Sequence, residues 1–191
     1  LTPEQAEQIA RLMLTDFGTP AEPRVRLPEL KPAAKQSVRA DWDAANAAKA
    51  ELKLDDATLA RGSVVYRRWC MQCHGATGAG DGAHAIELAA MPRDYRQGIF
   101  KFVTCFPKPD PKQPKKGLGA SGKPLRADLV RTIRKGLDGS MMPAFPTLTD
   151  AEVEDLVSYV IHLSIRGETE FATMAKAMQP TEDDPDFTGP E

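Results

Sequence analysis

Two cysteines and a histidine, in the order Cys70-Met71-Gln72-Cys73-His74, constrain this chain more than any other feature of it. Thiols three residues apart at the end of a helical turn reach the two vinyl groups on one edge of a porphyrin, and a histidine directly after them is held beneath the iron. The C-x-x-C-H arrangement therefore points to one covalently attached c-type haem, with His74 as its proximal ligand. Two other chemistries use paired cysteines. A zinc site needs four ligands, usually a second C-x-x-C or an H-x-x-x-H, and the sequence has neither. A thioredoxin-like redox pair follows a strand, whereas residues 62–69 read as helix.

Ahead of the motif, Gly62, Tyr66 and Cys70 fall four apart, on one face of that helix. Downstream, Thr149-Asp150-Ala151-Glu152 has the form of a capping box opening another helix. Leu156, Tyr159, Val160 and Leu163 follow on its apolar side. Between them lies Gly139-Ser140-Met141-Met142-Pro143-Ala144-Phe145-Pro146. With these residues the chain resembles the class I cytochrome c family over roughly residues 57–167. The resemblance implies an all-α fold wrapped round one haem c, with Leu156 and Tyr159 packing against Gly62 and Tyr66. It also implies a methionine from the Met-Pro loop as second axial ligand. Met142, directly before Pro143, is the first candidate and Met141 the second; ordinary core packing is the bland alternative for either.

The run Gly75-Ala76-Thr77-Gly78-Ala79-Gly80-Asp81-Gly82 is a poor phosphate loop, because no strand precedes it. In the family such loops bring backbone close to the haem edge. The stretch from Met91 to Phe102 resembles a subset of bacterial members in which a proline carbonyl accepts a hydrogen bond from the proximal histidine. That makes Pro92 the expected acceptor. Arg93, Tyr95, Arg96 and Lys101 are candidates for contacts to the haem propionates, or else surface residues that keep the protein soluble.

A saturated His/Met iron leaves no position for a substrate. The expected function is thus electron transfer by a carrier or a module, not enzymatic catalysis; a haem-based sensor with a displaceable methionine is the alternative. Maturation of such haems implies a periplasmic or other extracytoplasmic location. Leu1 opens the chain with neither an initiator Met nor a signal-peptide pattern, as expected of a processed chain or a fragment; a membrane tether ahead of it stays open. No apolar run of about eighteen residues is present, so no transmembrane segment is expected, and no nucleic-acid partner.

Charge is unevenly spread behind a net value of −2. Residues 93–135 hold twelve Lys and Arg against three acids, and 150–191 hold eleven acids against two basic residues. Two readings follow: solvated faces that offset one another, or a basic 93–135 surface that docks redox partners. The remaining chain divides into an N-terminal extension (1–56), an insertion within the haem domain (106–124) and a C-terminal extension (168–191). The first should contain one helix from Thr2 to about Gly18, a proline-rich linker at 20–32 and an Ala-rich helix over 37–54. The last begins helically over 168–178 and turns acidic and irregular from Pro180. Cys105 is left over as a buried free thiol or an intermolecular pairing partner. His84 and His162 read as surface or packed histidines.

Overall fold

The computed structural model describes residues 36–101, 105–106 and 123–178. The helix expected near the N-terminus, the linker at 20–32, most of the insertion and the tail from Pro180 lie outside the described residues. Among these residues the order is α1 (Gln36–Glu51), α2 (Asp56–Trp69), the single turn α3 (Met71–His74) and a 3-10 turn (Ala85–Glu87). A ladder of β1 (Cys105–Phe106) and β2 (Lys123–Pro124), α4 (Arg126–Lys135) and α5 (Asp150–Met178) follow. The ladder is antiparallel, pairs Cys105 with Pro124 and Phe106 with Lys123, and so ties the two ends of the insertion together. All other regular structure among the described residues is helical, the all-α architecture expected of the class I cytochrome c fold.

Local chemistry sets where the helices begin and end. The Asp55 carboxylate caps α2 by accepting from the Thr58 amide at 2.9 Å and its hydroxyl at 2.7 Å. At α5 the capping box is complete. The Glu152 amide donates to the Thr149 hydroxyl at 3.2 Å, and the Glu152 carboxylate accepts from the Thr149 amide at 2.8 Å. The sequence places the Ala-rich helix over 37–54, but α1 stops at Glu51. Lys53 adopts left-handed backbone (φ 55) and the Leu54 amide turns back to the Lys49 carbonyl at 2.9 Å. This is a Schellman-type stop with lysine where glycine is usual.

The longest helix organises the rest. At 29 residues, α5 is about 43 Å long at 1.5 Å per residue, and it packs against α1, α2 and α4. Its first half crosses α2 at Gly62, where an added Cβ would meet the Asp155 carbonyl and lie 2.9 Å from the Tyr159 Cβ. No other residue type permits that approach. Four residues on, Tyr66 and Tyr159 meet with ring centroids 5.3 Å apart. Leu59, Leu156, Val157, Ile161, Leu163 and Ile165 complete a core in which α1 takes part through Ala45. Burying a side chain of that size contributes about 1.5–3 kcal/mol. The Arg61–Asp155 pair at the rim, at 2.7 Å, adds little because solvent around the exposed Arg61 screens it. The crossing is therefore held by its apolar residues, and the ion pair only borders it.

Candidate haem site

α2 hands the chain to the cysteine motif without a break. Cys70 caps α2 through its amide, which donates to the Tyr66 carbonyl at 2.8 Å, and it opens α3. The His74 amide closes that turn on the Cys70 carbonyl at 2.9 Å, and Gly75 ends it with φ +75. Cys70, Cys73 and His74 thus sit on one turn, half-buried, and neither cysteine is in a disulfide.

The glycine-rich run folds back over this turn. Amides of Gly80, Gly82 and His84 donate to the carbonyls of His74, Cys73 and Gln72 at 2.9, 3.1 and 2.8 Å. These are carbonyls that a helix C-terminus leaves unpaired, so the loop satisfies them in place of solvent. From the other side the buried Tyr66 hydroxyl donates to the Gly75 carbonyl at 2.8 Å. The turn is therefore fixed by α2 beneath it and by its own following loop.

The His74 ring is held by the 93–96 segment. Its Nδ1 lies 3.3 Å from the Arg93 carbonyl, the long end of hydrogen-bonding range. A carbonyl only accepts, so Nδ1 carries the proton and Nε2 is left with a lone pair for a metal. Burial lowers the His74 pKa, with the Arg93 hydrogen bond opposing, so the ring is neutral at pH 7. Burial also pushes the Cys70 thiol up to about 12, Cys73 adding to the shift.

The acceptor corrects the sequence reading, which named Pro92. The Pro92 carbonyl faces Gly80 so closely that a Cβ there would strike it. Along a non-helical segment the next carbonyl points to another side, and it is Arg93 that reaches the imidazole. The expected propionate group also separates. Tyr95 is buried and stacks on His74, with centroids 4.7 Å apart and planes 24° apart, and on Phe100 at 5.8 Å and 8°. Arg96 is bound to the Asp94 carboxylate through Nε and Nη2 at 3.0 and 2.9 Å. Arg93 is half-buried and Lys101 exposed. Sequence reasoning missed the stacking role of Tyr95 and the part played by Asp94; an aromatic within the acceptor loop was the available signal.

The Met-Pro loop distinguishes its two methionines. Met141 is 66 % exposed, whereas Met142 is half-buried. The backbone of Met142 is tied on both sides: its carbonyl accepts from the Leu137 amide at 3.2 Å, and its amide donates to the Ser140 hydroxyl at 3.2 Å. Phe145, three residues on, meets the Trp69 ring edge-on at 6.2 Å beside the cysteine turn. His84 is exposed and His162 is buried within the α5 packing, as expected of histidines outside the site.

These residues fit a c-type haem. Two unpaired thiols and a neutral imidazole with one ring nitrogen already committed occupy a single turn, and a soft thioether donor lies on a loop whose Phe145 touches that turn's flank. The sequence profile of the family described as cytochrome C oxidase, cbb3-type, subunit III, matches residues 57–160. The chain belongs to this family of c-type cytochromes. No curated protein matches the cytochrome. Among solved structures, a chain of the reducing HAO-like protein complex of Kuenenia stuttgartiensis is 29% identical over 53% of this chain, with a TM-score of 0.44. This cytochrome spans 40% of that chain's length. Membership establishes a class I c-type cytochrome domain, with covalently bound haem c and haem-based electron transfer as its chemistry. Domains of this kind are typically extracytoplasmic. No helix among the described residues is long and apolar enough to cross a membrane.

Proposed function

We propose that this cytochrome is a monohaem electron-transfer carrier or module on the periplasmic side of a bacterial membrane, with His74 and Met142 as axial ligands. The observation that carries the reading is the His74 ring, neutral and held at Nδ1 by the Arg93 carbonyl at 3.3 Å on the turn that bears both thiols. The bound haem supplies a one-electron ferric/ferrous couple. Cys70 and Cys73 would attach it through thioethers, and His74 and Met142 would supply an imidazole nitrogen and a neutral sulfur to its iron. With both donors bound, the iron would have no position left for a substrate, which supports reading the domain as an electron carrier.

The partner surface is narrower than the charge count suggests. Arg126 pairs with Glu154 at 2.8 Å and Arg134 with Asp150 at 2.5 Å, so the basic stretch clasps the acidic helix within one chain. Arg131 and Arg96 pair with Asp128 and Asp94. Of the described cations in 93–135, Lys101, Arg131 and Lys135 are exposed; Arg131 is paired with Asp128, and the two lysines are offered to an acidic donor or acceptor. Pyridine haemochrome analysis and potentiometry of the purified protein test the main reading: one haem c per chain and a reversible one-electron couple are expected. More than one haem, or fast carbon monoxide binding to the reduced protein at neutral pH, would overturn it.

A further inference from the structure

Beyond residue 160, where the family match ends, α5 continues for eighteen residues, to Met178. This continuation touches the loop that holds His74. Gly167 is buried against Arg96, and a Cβ at 167 would run into the Arg96 α and β carbons. One turn on, the Arg96 guanidinium lies over the Phe171 ring, 5.3 Å from its centroid. Glu170, bound to Arg166 at 2.7 Å, adds negative charge beside that guanidinium.

Arg96 is also the residue that fixes the turn before it. Its amide donates to Asp94 Oδ1 at 2.9 Å while its side chain grips both carboxylate oxygens, so residues 94–96 form a closed unit. Tyr95 in the middle of that unit faces the imidazole, and its amide is fixed to the Gly78 carbonyl at 2.8 Å. Arg93 O directly precedes the unit. A push on Arg96 is thus passed to the carbonyl that holds His74 Nδ1 by two peptide links and one stacked ring.

We propose that the C-terminal part of α5 is a positioning element for the proximal histidine, with Gly167 and Phe171 as the residues that set the 93–96 turn and thereby the strength of the Arg93 O to His74 hydrogen bond. The inference rests on His74 being the proximal ligand. The physical consequence has a sign. A tighter bond at Nδ1 makes Nε2 a stronger donor and favours ferric iron; a looser one favours ferrous iron and raises the potential. The present 3.3 Å is long, so the bond is open to change in either direction.

The test uses the full-length holoprotein with Gly167→Ala, with Phe171→Leu as the milder variant that decides should the first not fold, and with Arg126→Gln as control. Arg126 clasps α4 to α5 through Glu154 and Ser158, in the first half of α5 rather than in its continuation. Two readouts are the midpoint potential and the solvent exchange rate of the His74 Nδ1 proton by NMR in the ferrous protein. The expected result for the first two variants is a three- to ten-fold larger equilibrium constant for reduction, about 30–60 mV at 59 mV per tenfold, together with faster proton exchange. The control should leave both unchanged. Unchanged potential and exchange in the Gly167 and Phe171 variants would overturn the proposal, and so would an equal shift in the control, since that would mean general loosening. His74→Ala is the separate check on ligation: if the low-spin spectrum survives it, the underlying reading fails and not the positioning role alone.

Discussion

The two sides of the site are built by different means. On the cysteine side, backbone bonds from the glycine loop, the buried Tyr66 hydroxyl, the Arg93 carbonyl and the Tyr95 ring all converge on one helical turn. On the methionine side, the bonds within residues 137–142 are local: Ser140 to the Leu137 carbonyl, and Met142 to Leu137 and Ser140. Phe145 then ties the loop to α4 through its amide, which donates to the Ile133 carbonyl at 3.0 Å. One side is over-determined by long-range contacts, the other is a short loop with its ends fixed. Under the proposed ligation, His74 is the ligand whose surroundings are built by several segments, and Met142 the one held by its own loop.

The largest expected effect breaks the cysteine side outright. Replacing both Cys70 and Cys73 by alanine should leave haem that acid-acetone extracts completely, whereas the unaltered protein retains it; retention by the double variant would remove the attachment assignment. Next comes the methionine side. Met142→Ala should abolish the weak red-edge absorption of a Met-ligated ferric haem and open the reduced protein to carbon monoxide, while Met141→Ala leaves both as they are. The reverse pattern would transfer the ligand role to Met141.

Smaller effects sharpen the contrast in stability. Tyr66→Phe leaves the buried Gly75 carbonyl with only the long 3.4 Å bond from the Gly78 amide and should cost about 1 kcal/mol in denaturant unfolding of the holoprotein. Ser140→Ala removes bonds of an exposed hydroxyl and should stay within about 0.5 kcal/mol. Equal losses would mean that the two sides are equally constrained. The smallest effect is a pH dependence. Burial raises the Asp94 pKa, but the Arg96 hydrogen bonds and charge outweigh it, with Arg93 helping, and the net value lies below 3.8. A carboxylate depressed in the folded state contributes stability that is present above 3.8 and lost as pH falls through the folded value. Melting of the holoprotein between about pH 5 and pH 2 should therefore fall less steeply in Asp94→Asn than in the unaltered chain.

Much of this was legible locally. The Thr149–Glu152 capping box and the Cys70–His74 turn depend on neighbours within four residues, so short-range pattern suffices to find them. The Gly62 and Tyr66 positions were legible through resemblance, and the α2–α5 crossing places them against Asp155 and Tyr159. Where the sequence reading fell short, the deciding feature was an unusual backbone conformation or a distant contact. A helix spanning 37–54 was expected from alanine content, but Lys53 in left-handed backbone ends it early. The helix expected over 168–178 is present, as the continuation of α5 through Gly167 without a break. A mid-helix glycine signals either a stop or a close approach, and only the position of Arg96 shows that here it is the second.

The same division holds for the site and its charges. Composition and spacing alone determine that this chain carries a C-x-x-C-H turn, because thioether geometry is set within five residues. Which carbonyl holds the imidazole was beyond that reach: Pro92 and Arg93 are adjacent in sequence, and it is the packing of Pro92 on Gly80 that turns one carbonyl away and presents the other. The basic and acidic stretches were likewise visible as two blocks. That Arg126 and Arg134 are matched to Glu154 and Asp150 follows from α4 lying against α5, a relation between segments that no local pattern encodes.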